Sequence, residues 1–181
     1  MIINVAPLLK ELVGARADYH VAEDPIDPHG DNAGLREAGA VSISSDIVGT
    51  HTNPGAYLEG DAEARVEATC SRCLRQFETE VHADFAEQYY ATIGVEHGES
   101  LGPAPRDAKT IGSDFRIDLT PLLREELILA TPLAPLHTED CRGLCPVCGI
   151  DLNEEPHTHD EPIDERWARL AQLRSFHPES D

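Results

Sequence analysis

All five cysteines of this 181-residue chain fall in two short stretches, Cys70-Ser71-Arg72-Cys73 and Cys141-Arg142-Gly143-Leu144-Cys145-Pro146-Val147-Cys148-Gly149. Each contains a C-x-x-C turn, a spacing that lets two thiolates converge on one ion while backbone N–H groups of the turn face the sulfurs. The expectation is one structural zinc held tetrahedrally by Cys70, Cys73, Cys145 and Cys148, with Gly149 letting the second turn fold back on the ion. A rival set takes Cys141, Cys145 and Cys148 with His157 or His159 as fourth ligand and leaves the first pair free. A tetrahedral ion uses four ligands, so in the leading arrangement Cys141 is a spare thiol or alternate ligand. Five cysteines acting merely as small buried apolar side chains would not need the paired spacing.

A four-thiolate site has no open position for water, so it implies structure and recognition rather than hydrolysis. The catalytic signals are thin. The zinc-deaminase signature, H-x-E followed by P-C-x-x-C, is half-echoed by His97-Gly98-Glu99 and the late cysteine turn, but here the Pro lies inside the turn. Thiol redox chemistry places its C-x-x-C at a helix start near a βαβ unit, whereas the first turn here joins two alternating strands. No phosphate-cradling glycine loop, nucleophile elbow or H-E-x-x-H occurs. The expectation is a protein that is not an enzyme.

Composition narrows the partners. Fourteen Lys and Arg against 34 Asp and Glu leave a formal net charge of -20, and phosphate backbones are bound mainly by neutralising Lys and Arg. Strong non-specific nucleic-acid binding is therefore disfavoured, although Arg72, Arg75 and Arg142 beside the cysteine turns are candidates for phosphate contact. The same three arginines would also serve to compensate thiolate charge. Mean hydropathy is -0.34, and no stretch approaches the roughly 20 apolar residues of a membrane-spanning helix. The opening Met1-Ile2-Ile3-Asn4-Val5 lacks a basic region and a long apolar core, and the odd cysteine count is grouped in metal-type turns. Both point to a cytoplasmic protein in a reducing compartment.

The elements that must position the turns are legible as periodicities. Leu58, Ala62, Ala64, Val66, Ala68 and Cys70 share one parity against Glu59, Asp61, Glu63, Arg65, Glu67 and Thr69, and the alternation resumes with Phe77, Val81, Ala83 and Phe85. This predicts an antiparallel hairpin with Cys70 and Cys73 at its tip. Further strands are expected at residues 2–5, 17–21, 41–47 and 115–119. A short helix should follow Pro7, and a second should start with Thr120 as N-cap and Pro121 as first helical residue. Residues 24–32 read as a loop, and 163–174, with Ile163, Trp167, Leu170 and Leu173 about a turn apart, as an amphipathic helix. The fold class is α+β, mainly an antiparallel sheet with a few helices and a pair of zinc knuckles. Residues 1–181 form a single domain, with a flexible excursion at 94–113 and an acidic segment at 154–162.

The order of these parts resembles the YceD family, the large ribosomal RNA subunit accumulation proteins, a widespread bacterial and plastid domain. The resemblance rests on Cys70-Ser71-Arg72-Cys73-Leu74 between strands, Asp118-Leu119-Thr120 opening a helix, the 141–149 run, Leu152-Asn153, and Ile163-Asp164-Glu165-Arg166-Trp167-Ala168-Arg169-Leu170. It implies a factor needed for 23S ribosomal RNA accumulation or processing and large-subunit biogenesis, with no enzymatic activity established. The acidity then favours action through protein contacts, with a ribosome-assembly or RNA-processing protein as partner; the alternative is a zinc-dependent nucleic-acid-binding module in which Arg72, Arg75 and Arg142 contact phosphate. Many relatives with this long run carry further cysteines after Leu-Asn, where this chain has His157 and His159.

Overall fold

The computed structural model describes residues 1–23 and 39–159. Among the described residues nine elements follow in order: β1 (Ile2–Asn4), α1 (Ala6–Lys10), β2 (Arg16–Glu23), β3 (Ala40–Thr52), β4 (Gly55–Thr69), β5 (Gln76–Ala91), β6 (Lys109–Ile111), β7 (Arg116–Asp118) and α2 (Thr120–Ala130). The expected loop at 24–32 and the expected helix at 163–174 lie outside the described residues. A five-stranded sheet runs β2-β3-β4-β5-β6, antiparallel except for the parallel pairing of β6 to β5, and β1 pairs with β7 in a separate two-stranded ribbon. This is the expected α+β architecture.

The long hairpin is the spine of the molecule. β4 and β5 stay in register from Ala56 opposite Tyr89 to Thr69 opposite Gln76, which leaves residues 70–75 as the tip. Strict alternation holds the register, because a slip of one residue would turn Leu58, Ala62, Ala64 and Val66 out to water. Their face meets Ile43 and Ile47 of β3, Val81 and Phe85 of β5, and the helices' Leu8, Leu122, Leu123 and Leu127 in one apolar core. The cysteine turns lie outside that core: Cys70, Cys73 and Cys141 form a separate small cluster with Phe77, Leu136 and Leu144 packed on it.

Two expectations are corrected here. Thr120 does not cap α2 with its side chain: its hydroxyl accepts a 2.8 Å hydrogen bond from the Met1 amino group, and Asp118 Oδ1 accepts from the Thr120 N–H at 2.9 Å instead. A carboxylate two residues earlier satisfies the first N–H of the helix and suits the positive end of the helix dipole. Within 94–113, residues 109–111 are not loop but sheet edge, with Thr110 opposite Tyr90 and Ile111 buried.

Candidate metal centres

Both C-x-x-C turns fold into the same knuckle. At the hairpin tip Cys70 N–H donates to the Arg75 carbonyl at 2.8 Å and Leu74 N–H donates to the Cys70 carbonyl at 3.0 Å. In the second turn Cys145 N–H donates to the Ile150 carbonyl at 2.8 Å and Gly149 N–H donates to the Cys145 carbonyl at 2.9 Å. The residue after the second cysteine is left-handed in both, Leu74 at φ 61° and Gly149 at φ 75°. Each knuckle also caps a hairpin: β4–β5 carries the first, and a minimal bridge between Leu144 and Asp151 carries the second.

The sulfurs of the two knuckles do not gather at one place. Among the described residues the candidate ligand atoms gather in two groups, Cys70, Cys73, His137 and Cys141 in one and Cys145, Cys148, His157 and His159 in the other, each with all four atoms within 4.8 Å of one another. The four-thiolate set of Cys70, Cys73, Cys145 and Cys148 is therefore divided. Cys141, expected to be spare, lies with the first group, and the rival set is not gathered either, because both histidines lie with Cys145 and Cys148 while Cys141 does not. The physical reason is chain path: each knuckle is met by its own returning segment, 135–141 for the first and 155–159 for the second.

At the first group Cys70 and Cys141 sulfurs lie 3.7 Å apart, and His137 Nδ1 lies 3.4 Å from both Cys70 and Cys73 sulfurs. A tetrahedral ion with thiolates at about 2.3 Å and imidazole at about 2.0 Å requires edges of roughly 3.8 Å between sulfurs and roughly 3.5 Å from sulfur to nitrogen. The donor set fits such an ion. Several ties position it. Ser71 N–H donates to the Pro135 carbonyl at 2.8 Å, Arg72 donates to the Cys141 carbonyl at 2.8 Å, and Leu144 N–H donates to the Arg72 carbonyl at 3.2 Å. Phe77 meets the His137 ring edge-on. Burial pushes the Cys70 thiol up, but hydrogen bonds from His137 and from backbone N–H groups outweigh it and hold the thiol well below its ordinary value. Cys73 is pushed up, first by burial and then by the neighbouring Cys70 and Cys141. A cation between them would relieve that repulsion.

A polar lattice surrounds this group. Asn153 Nδ2 donates to the Cys141 sulfur at 3.5 Å, its Oδ1 accepts from Arg142 N–H at 2.8 Å, and its backbone N–H donates to Asp151 at 2.9 Å. Arg75 reaches across from the hairpin tip to Glu154 at 2.8 Å and Asp151 at 3.4 Å. Two of the three arginines proposed for phosphate contact are thus engaged within the protein, while Arg142 contributes its backbone and is exposed. His97 of the half-deaminase pattern is exposed and belongs to neither ligand group.

At the second group Cys148 Sγ lies 3.1 Å from His157 Nε2 and 3.4 Å from His159 Nε2. Backbone N–H groups of Cys148 and Val147 face the Cys145 sulfur and lower its thiol to about 6. His137 is the candidate ligand that sequence reasoning missed. Its one local signal is H-x-x-x-C spacing to Cys141, within the range of metal-ligand pairs.

A β-sheet domain whose cysteine turns form paired Cys/His groups is a knuckle-bearing α+β protein. The chain belongs to the YceD family, described as large ribosomal RNA subunit accumulation protein YceD, which it matches over residues 58–174. It is 31% identical over 129 residues to uncharacterized proteins of Mycobacterium bovis and Mycobacterium tuberculosis, covering 70% of this chain and 58% of theirs. An uncharacterized protein of Mycobacterium leprae is 30% identical over 137 residues, 73% of this chain and 55% of that protein. The chain thus spans less than two thirds of these relatives' length. No solved structure matches it.

Proposed function

We propose that the chain is a non-enzymatic cytoplasmic factor in 23S ribosomal RNA accumulation and large-subunit biogenesis, with zinc as a structural ion in the Cys70, Cys73, His137 and Cys141 group. Membership of the YceD family carries the ribosomal part of this reading. The buried donor set supports the structural role: three thiolates and an imidazole fill a tetrahedral ion and leave no position for substrate or water. The ion would clamp the 135–141 segment to the hairpin tip.

The partner is a ribosome-assembly or RNA-processing protein rather than naked RNA. A formal net charge of -20 repels phosphate, and Arg72 and Arg75 are already used within the fold. Affinity capture with and without RNase tests this: partners should survive RNA digestion, and loss of every partner would overturn it. Direct phosphate binding predicts the opposite, an affinity for RNA that falls steeply with salt in a filter-binding series. The cellular readout is the ratio of 23S to 16S ribosomal RNA, which should fall on gene deletion and recover with the wild-type chain. An unchanged ratio would contradict the ribosomal role.

A further inference from the structure

We propose that Cys145, Cys148, His157 and His159 hold an ion of their own, a zinc-class divalent cation bound independently of the hairpin-tip group, and that this ion is the rapidly exchanging one.

Three observations carry the site. The second turn repeats the first knuckle bond for bond, so its two sulfurs are presented for the same task. His157 Nδ1 lies 2.8 Å from the Glu155 carbonyl, an acceptor, so that nitrogen carries the proton and the Nε2 lone pair is left facing Cys148. A backbone carbonyl behind a histidine is the usual orienting partner of a metal-ligating imidazole. The rings of His157 and His159 stand perpendicular with centroids 4.9 Å apart, which brings both Nε2 atoms beside one sulfur without stacking the rings.

Accessibility carries the exchange. In the first group Cys70, Cys73 and Cys141 are at most 7% exposed and His137 is half-buried, whereas in the second Cys145 is buried, His157 half-buried, and Cys148 and His159 exposed. A chelator can therefore attack the second ion directly at two exposed donors, while three of the four donors of the first are closed within the small apolar cluster. Two neutral imidazoles in place of one also lower the negative charge holding the ion. The ion would fasten residues 155–159 to the Cys145 knuckle, making the position of that segment dependent on metal.

The inference is independent of the reading of the hairpin-tip ion, and one experiment separates them. Zinc content of the full chain, loaded with Zn2+ alone, is measured beside release to a chromogenic chelator. Wild type should carry two ions released in two phases at least tenfold apart. Cys148→Ser with His159→Ala should keep one ion and lose the fast phase, and His137→Ala should keep the fast phase. Hydrogen exchange of residues 151–159 in wild type, which needs no variant to fold, should accelerate after the fast phase alone. One ion in wild type, kept in Cys148→Ser with His159→Ala, would overturn this inference and leave the first centre standing. One ion in wild type, kept in His137→Ala and lost in Cys148→Ser with His159→Ala, would instead fail the hairpin-tip reading and uphold this one.

Discussion

The guanidinium of Arg72, at the tip of the long hairpin, donates a 2.8 Å hydrogen bond to the carbonyl of Cys141, 69 residues later in the chain. It joins the two halves of the first ligand group through the backbone, so the group is partly assembled before any ion arrives. Arg72→Ala should lower stability by roughly 1 kcal/mol, the scale of one hydrogen bond from a charged donor discounted for partial exposure. Denaturant titration with metal present checks this. A loss of RNA affinity with no loss of stability would mean that the side chain faces a phosphate instead.

Gly143 sits at φ 78°, and a Cβ there would stand 3.1 Å from the Arg72 carbonyl oxygen and 3.3 Å from Arg72 Cβ. Both the left-handed backbone and the close approach disfavour a side chain. Gly143→Ala should cost about 1–2 kcal/mol. Leu74 occupies a left-handed position with its side chain 64% exposed, so Leu74→Gly should be neutral or stabilising by up to about 1 kcal/mol. Opposite signs for the two substitutions in matched thermal melts are the expected outcome.

The ligand clusters lie apart from the main core, and a chain of this length buries enough apolar surface to fold without staples. Removing metal with a strong chelator should therefore leave the sheet's far-ultraviolet circular dichroism in place while residues 135–159 lose protection from hydrogen exchange. Collapse of the whole sheet signal on chelation would show instead that the metal holds the core.

How much of this was legible in the sequence follows from how local each signal is. The β4–β5 hairpin could be read because an alternation from Leu58 to Phe85 carries its own register, and its tip placed Cys70 and Cys73 correctly. β6 could not, since three residues paired in parallel to Tyr89, Tyr90 and Ala91 leave no periodic trace. The partition of the cysteines was hidden for the same reason. Spacing pairs Cys70 with Cys73 and Cys145 with Cys148, but whether the pairs meet depends on where the 131–140 loop returns, and Ser71 hydrogen-bonded to Pro135 brings His137 there.

The Asp151 carboxyl is held below its ordinary value chiefly by the Asn153 N–H, against some burial, with the Asn153 amide and Arg75 adding to the effect. A carboxyl whose native pKa is depressed adds stability above its unfolded value, near 3.8, and that stability is lost as pH falls through the lower native value. The stability difference between wild type and Asp151→Asn should hold steady from neutrality down to about pH 5 and shrink below about pH 4. Thiolate protonation, common to both chains, cancels in the difference. A difference that grew on acidification would contradict the role assigned to Asp151.

The division of the cysteines between two Cys/His centres is tested most directly by X-ray absorption at the zinc edge of the fully loaded chain. Three thiolates and one imidazole at the first centre, with two of each at the second, predict an average shell of sulfur and nitrogen in the ratio five to three. An all-sulfur shell would contradict the account, because any four of the five cysteines include members of both groups, so the two knuckles would have to meet on a single ion.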